Sequence, residues 1–85
     1  MPEISRFLGI VIRMYYREHN PPHFHAEYGD YEMTVQIKSG IIEGRFSKRA
    51  LNAVMEWYEK NKDGLLENWK LAEEGEPLKK IEPLE

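Results

Sequence analysis

At 85 residues, 41% hydrophobic and 32% charged, the chain suits one globular domain with a modest core, and residues 1–85 are read as a single domain. A net charge of −3 excludes a nucleic-acid grip through bulk positive charge, so any phosphate contact must come from a local cluster. The lack of cysteine excludes disulfides and thiolate metal ligands and fits a reducing compartment.

The start, MPEISRFLGIVIRMYY, has no basic run ahead of its apolar stretch, and Arg6 and Arg13 bracket only six residues. Neither a signal peptide nor a membrane span is expected, and the expected location is the cytoplasm. Leu8 to Tyr16 reads as a strand rich in β-branched and aromatic residues, with Ile10, Ile12, Met14 and Tyr16 on one side and Val11, Arg13 and Tyr15 on the other. Arg17 to Pro22 breaks it as a loop stiffened by Pro21 and Pro22.

His23 to Tyr28 resumes as a strand, and Gly29-Asp30 is a two-residue hairpin signal that favours a type II′ turn. Folding about it pairs Tyr28 with Tyr31, Glu27 with Glu32, Ala26 with Met33, His25 with Thr34, Phe24 with Val35 and His23 with Gln36. Every pair agrees in polarity, and a slip of one residue would mix the two faces. Ser39-Gly40 predicts a second tight turn, pairing Ile37 with Ile42, Val35 with Gly44, Met33 with Phe46, Gln36 with Glu43 and Thr34 with Arg45.

Ser47 is a good N-cap for a helix carrying Ala50, Leu51, Val54, Met55, Trp57 and Tyr58 at helical spacing. Asn61-Lys62-Asp63-Gly64 interrupts or bends it, and a second amphipathic run with Leu65, Leu66, Trp69 and Ala72 stops at Gly75 and Pro77. The tail, Leu78 to Leu84, lies along the domain or forms a short edge strand. The expected fold is α+β: an antiparallel three- to four-stranded meander with two C-terminal helices packed on one face.

All three histidines fall within HNPPHFHAE. His23 and His25 are two residues apart on a strand, so they share the polar face while Phe24 enters the core. His19 lies across the proline loop from them, and pairing of the first two strands adds Arg13 and Tyr15 to that face. Three readings follow. His23 and His25 can serve as general acid and base, with Arg13, Tyr15 and Arg45 as catalytic neighbours handling a phosphate, as metal-free RNA cleavage requires. Alternatively His19, His23 and His25, together with Glu27, ligate a metal such as zinc, nickel, copper or iron. Because the third ligand depends on an unspecified loop, no tightly held metal or other cofactor is expected. In the third reading the face is only a solvated sheet surface and the protein works by binding a partner.

Other features are plainer. Arg45, Lys48 and Arg49 gather where cations oppose the helix dipole, which is more often surface than a phosphate or acidic-partner contact. Trp57, Tyr58 and Trp69 belong to core or interface. Two Trp and five Tyr on so small a core predict shared apolar surface, hence an interface with a cognate protein or with itself.

The stretch ISRFLGIVIRMYYREHNPPHFHAEYGDYE, the helix start SKRAL and the end LLENWKLAEEGEPLKKIEPL resemble the small prokaryotic family catalogued as domain of unknown function 4160, over nearly the whole chain. The resemblance maps the family pattern onto Arg13, His19, Pro21, Pro22, His23, His25 and Glu27 without giving any of them a role, and Gly64 departs from it. It implies one half of a toxin–antitoxin-like two-protein module, with a cognate protein encoded nearby, of the small family numbered 2442, and an RNA-directed activity, by analogy only.

Overall fold

The computed structural model describes residues 2–84. Five strands, β1 (Glu3–Phe7), β2 (Ile10–Arg13), β3 (His23–Tyr28), β4 (Tyr31–Gln36) and β5 (Ile42–Arg45), form one antiparallel meander in chain order. Helices α1 (Lys48–Lys60) and α2 (Lys62–Glu74) follow it. The fold is thus α+β as expected, with one strand more than the largest number anticipated.

The additional strand comes from splitting the N-terminal segment. Leu8 does not open a strand. It sits with Gly9 in a two-residue turn, both at positive φ (53° and 80°), between the paired Phe7 and Ile10. Leucine rarely adopts that conformation, so Leu8-Gly9 lacks the usual Asn-Gly or Asp-Gly signal of such a turn. Ile10, Ile12 and Met14 are buried as their alternation requires, but pairing ends at Arg13 and Tyr16 is exposed.

The β3–β4 register agrees with the sequence reading pair for pair, and Gly29 takes φ 58° at the first turn position. The β4–β5 register does not. Glu32 faces Arg45, Met33 faces Gly44, Thr34 faces Glu43 and Val35 faces Ile42, a shift of two residues from the expected pairing. Ile37 causes the shift. It stays wholly in the core, its N–H donates to the Pro22 carbonyl (2.9 Å) and its carbonyl accepts from the Tyr58 hydroxyl (2.6 Å). Ile37 is therefore unavailable to a tight turn, and the loop widens to Ile37–Gly40, closed by Gly40 N–H to the Gln36 carbonyl (2.8 Å). An even shift keeps each residue on its face but moves its neighbours.

The apolar face of the sheet, including Phe24, Ala26, Met33 and Val35, packs with Val54, Trp57, Tyr58, Leu65 and Trp69 of the helices. Ser47 caps α1 by accepting from Ala50 N–H at 3.2 Å. Ser47→Ala should cost about 1 kcal/mol of stability, read as a lower urea midpoint; no shift would show the cap to be idle. Only Asn61 separates the helices, so Gly64 lies inside α2 rather than in a break, facing Ile81. Gly75 ends α2 in the left-handed conformation.

The tail forms no strand and lies along the domain. Trp57 Nε1 donates to the Glu82 carbonyl (2.8 Å), Asn68 exchanges two hydrogen bonds with Lys79, and Ile81 N–H reaches the Ile4 carbonyl on the β1 edge (2.8 Å). Among the described residues, no helix is long and apolar enough to cross a membrane.

Candidate metal centre

The Ile12–Ala26 and Arg13–His25 pairs bring β2 beside β3, so the proline loop between them folds back over the start of β3. That return carries Glu18 onto the two strand histidines. A single Glu18 oxygen, Oε1, lies 2.9 Å from His23 Nε2 and 2.9 Å from His25 Nε2. The three ligand-type atoms all fall within 4.8 Å of one another. His19 is exposed and outside this cluster, so the third group beside the strand histidines is Glu18, not the third histidine.

Each imidazole is held from behind. His23 Nδ1 is 2.9 Å from the Pro21 carbonyl, which can only accept, so Nδ1 carries hydrogen. A neutral His23 therefore directs the Nε2 lone pair at the Glu18 carboxylate, and a cation, either a proton or a metal ion, must lie between them. The His23 ring also packs against Trp69, with centroids 5.1 Å apart and planes tilted by 49°, which ties its position to α2. His25 meets the edge of Tyr15 at 4.5 Å, and its buried Nδ1 has no hydrogen-bond partner, with Glu32 Oε2 standing off at 4.0 Å. The histidine side chains are only 18% and 14% exposed.

The remaining sequence candidates are spread over the same face. Arg13 faces His25 across the sheet and its Nε donates to Glu27 at 3.2 Å. Burial, then the nearby Glu27 charge, holds the Tyr15 hydroxyl above its ordinary pKa. Arg45 faces Glu32 rather than Thr34, and Glu43 occupies the place beside Thr34. The row expected to end in a cation thus runs Arg13, His25, Thr34, Glu43. Glu18, Glu27, Glu32 and Glu43 make this an acidic surface.

Sequence reasoning passed over Glu18. Its signal was adjacency to His19 in a loop that strand pairing obliges to return, yet which of the two neighbours turns inward depends on the backbone, including Arg17 at φ 60°. Burial pushes the Glu18 pKa up, but hydrogen bonding and charge from His25 and His23 outweigh it, and the carboxyl lies below its ordinary value of 4.5. A depressed folded-state pKa stabilises the fold above the ordinary value and loses that contribution as pH falls through the depressed one. In chelator-treated protein, wild type should therefore exceed Glu18→Gln in urea midpoint at about pH 6, and the gap should narrow once the pH falls well below the ordinary carboxylate value. A gap of unchanged size across that range would refute this.

The chain matches no curated protein and no solved structure. The family described as Domain of unknown function (DUF4160) matches residues 9–70, a span that contains β2 to β5, α1 and the whole Glu18–His23–His25 cluster. The chain belongs to this family.

Proposed function

We propose that the protein is a metal-binding protein in which Glu18, His23 and His25 hold one divalent transition-metal ion. The observation that carries the reading is the single Glu18 oxygen 2.9 Å from both histidine Nε2 atoms. Metal bonds of about 2.0–2.1 Å place neighbouring ligand atoms about 3.0–3.4 Å apart, so small side-chain rotations open the cluster to an ion. Two imidazoles and one carboxylate suit zinc or iron(II) and leave positions open for water or substrate. The Pro21 carbonyl behind His23 Nδ1 supplies the outer support that ligating histidines require. The expectation of no tight metal rested on a missing third ligand, and Glu18 fills that place.

Metal-free acid–base catalysis by the histidines has less support. Glu18 occupies both Nε2 atoms, and four carboxylates on this face outnumber its two arginines, Arg13 held by Glu27 and Arg45 facing Glu32. In the toxin–antitoxin-like module that the resemblance implies, a bound ion would supply the positive charge an RNA phosphodiester needs.

The test is elemental analysis and calorimetric titration with zinc, iron(II) and nickel, on wild type and on His23→Ala/His25→Ala. Near-stoichiometric uptake by wild type and none by the variant is expected; equal uptake by both overturns the proposal. Growth on expression of wild type against His25→Ala then tests the module reading separately, since arrest by both would place any toxicity elsewhere.

A further inference from the structure

The sheet has two edges, and they are treated differently. On β1 the tail lies alongside, with Ile81 N–H on the Ile4 carbonyl. No described strand or tail segment pairs with the outer side of β5, and all four of its residues are exposed. An uncovered edge is a template for another strand, and natural edges are usually blunted by proline, a bulge or a covering segment. β5 contains no proline, and its register against β4 runs without a bulge.

The direction of its backbone groups follows from one hydrogen bond. Gln36 N–H donates to the Ile41 carbonyl at 2.9 Å, which makes that pair a hydrogen-bonded one. Antiparallel pairs alternate in kind, so Glu43 and Arg45 bond inward to β4 while Ile42, Gly44 and Phe46 aim N–H and C=O outward. A partner strand must meet those three residues.

We infer that β5 pairs antiparallel with β5 of a second copy of this chain, about a twofold axis at Gly44. Charge selects this occupant and this register. With the axis at Gly44, Glu43 faces Arg45 of the other copy twice, on the polar side of the sheet. On the opposite side Ile42, which is 38% exposed, faces Phe46. Moving the axis to Glu43 sets two like carboxylates opposite each other, and moving it to Arg45 does the same to two guanidiniums. Gly44 is already required by its own fold. Its φ is 111°, and a Cβ there would stand 2.6 Å from the Glu32 carbonyl. With no side chain at the axis, the two backbones meet unobstructed. Tyr31 (42% exposed) lies beside Phe46 at 6.5 Å and extends the apolar side of the seam.

So short a seam makes a weak, concentration-dependent dimer. Sedimentation equilibrium of the full chain from about 10 µM to about 1 mM should show mass rising toward twice the monomer. Glu43→Arg alone places arginine against arginine in the homodimer, and Arg45→Glu alone places glutamate against glutamate; each should stay monomeric while keeping the wild-type circular dichroism. An equimolar mixture of the two variants restores opposite charges at both positions and should dimerise again. Wild type that stays monomeric throughout overturns the proposal, as do a dimer indifferent to both substitutions and a mixture that fails to recover.

Discussion

Trp57→Ala should destabilise the protein by about 3–5 kcal/mol, a large share of the roughly 5–15 kcal/mol that holds a small domain together. Trp57 is 1% exposed on the face of α1 that meets the sheet, with Phe7 at 5.5 Å and Phe24 at 5.6 Å between ring centres. Alanine would leave a cavity bounded by β1 and β3 and would also release the Glu82 carbonyl from Nε1, loosening the tail. Trp57→Phe keeps most of the ring volume and loses the hydrogen bond, so its cost should be the smaller of the two. Urea unfolding followed by circular dichroism measures both. A Trp57→Ala shift below about 1 kcal/mol, in the range of exposed positions, would mean that the helix does not pack as described. Phe24 lies between His23 and His25 in sequence, so a loosened Trp57 pocket should also weaken zinc binding.

The second large effect concerns the metal centre. An ion that binds only the folded state at a hundred times its dissociation constant adds about 2.7 kcal/mol of stability. At about 4–8 °C per kcal/mol for a domain of this size, zinc should raise the melting temperature by about 10–20 °C. His25→Ala removes one of three ligands. Loss of a mere outer-shell partner costs about 10–100-fold in affinity, so loss of a ligand should cost at least a hundredfold and cut the shift to about 3 °C or less at the same zinc concentration. Glu18→Gln, which keeps the side chain's size and one oxygen but removes the charge, should fall between. Lys60→Ala is the control: its ammonium lies 3.7 Å from Glu56 on an exposed helix face, and it should shift with zinc as wild type does. Differential scanning calorimetry with and without zinc decides. A shift that survives undiminished in His25→Ala would remove His25 from the ligand set.

Features set by short-range physics are legible in the residues alone. Alternation of side chains along a strand put His23 and His25 on one face and Phe24 on the other, and the Gly29-Asp30 turn fixed the β3–β4 register because any slip would bury charge. The Ser47 cap and the Gly75 stop are equally local, each being one residue's hydrogen bond or backbone preference. Where distant groups compete for one backbone or one face, long-range packing sets the outcome. Leu8 turns the chain at positive φ because Phe7 and Ile10 are both needed in the core, and nothing in Leu8-Gly9 announces that. Ile37 looked like a strand residue until Pro22 and Tyr58 claimed its backbone, and that moved Arg45 from Thr34 to Glu32. The choice of Glu18 over His19 beside the strand histidines has the same origin. A loop's end points are set by strand pairing, but which of its side chains turns inward is set by backbone angles that no periodic pattern encodes.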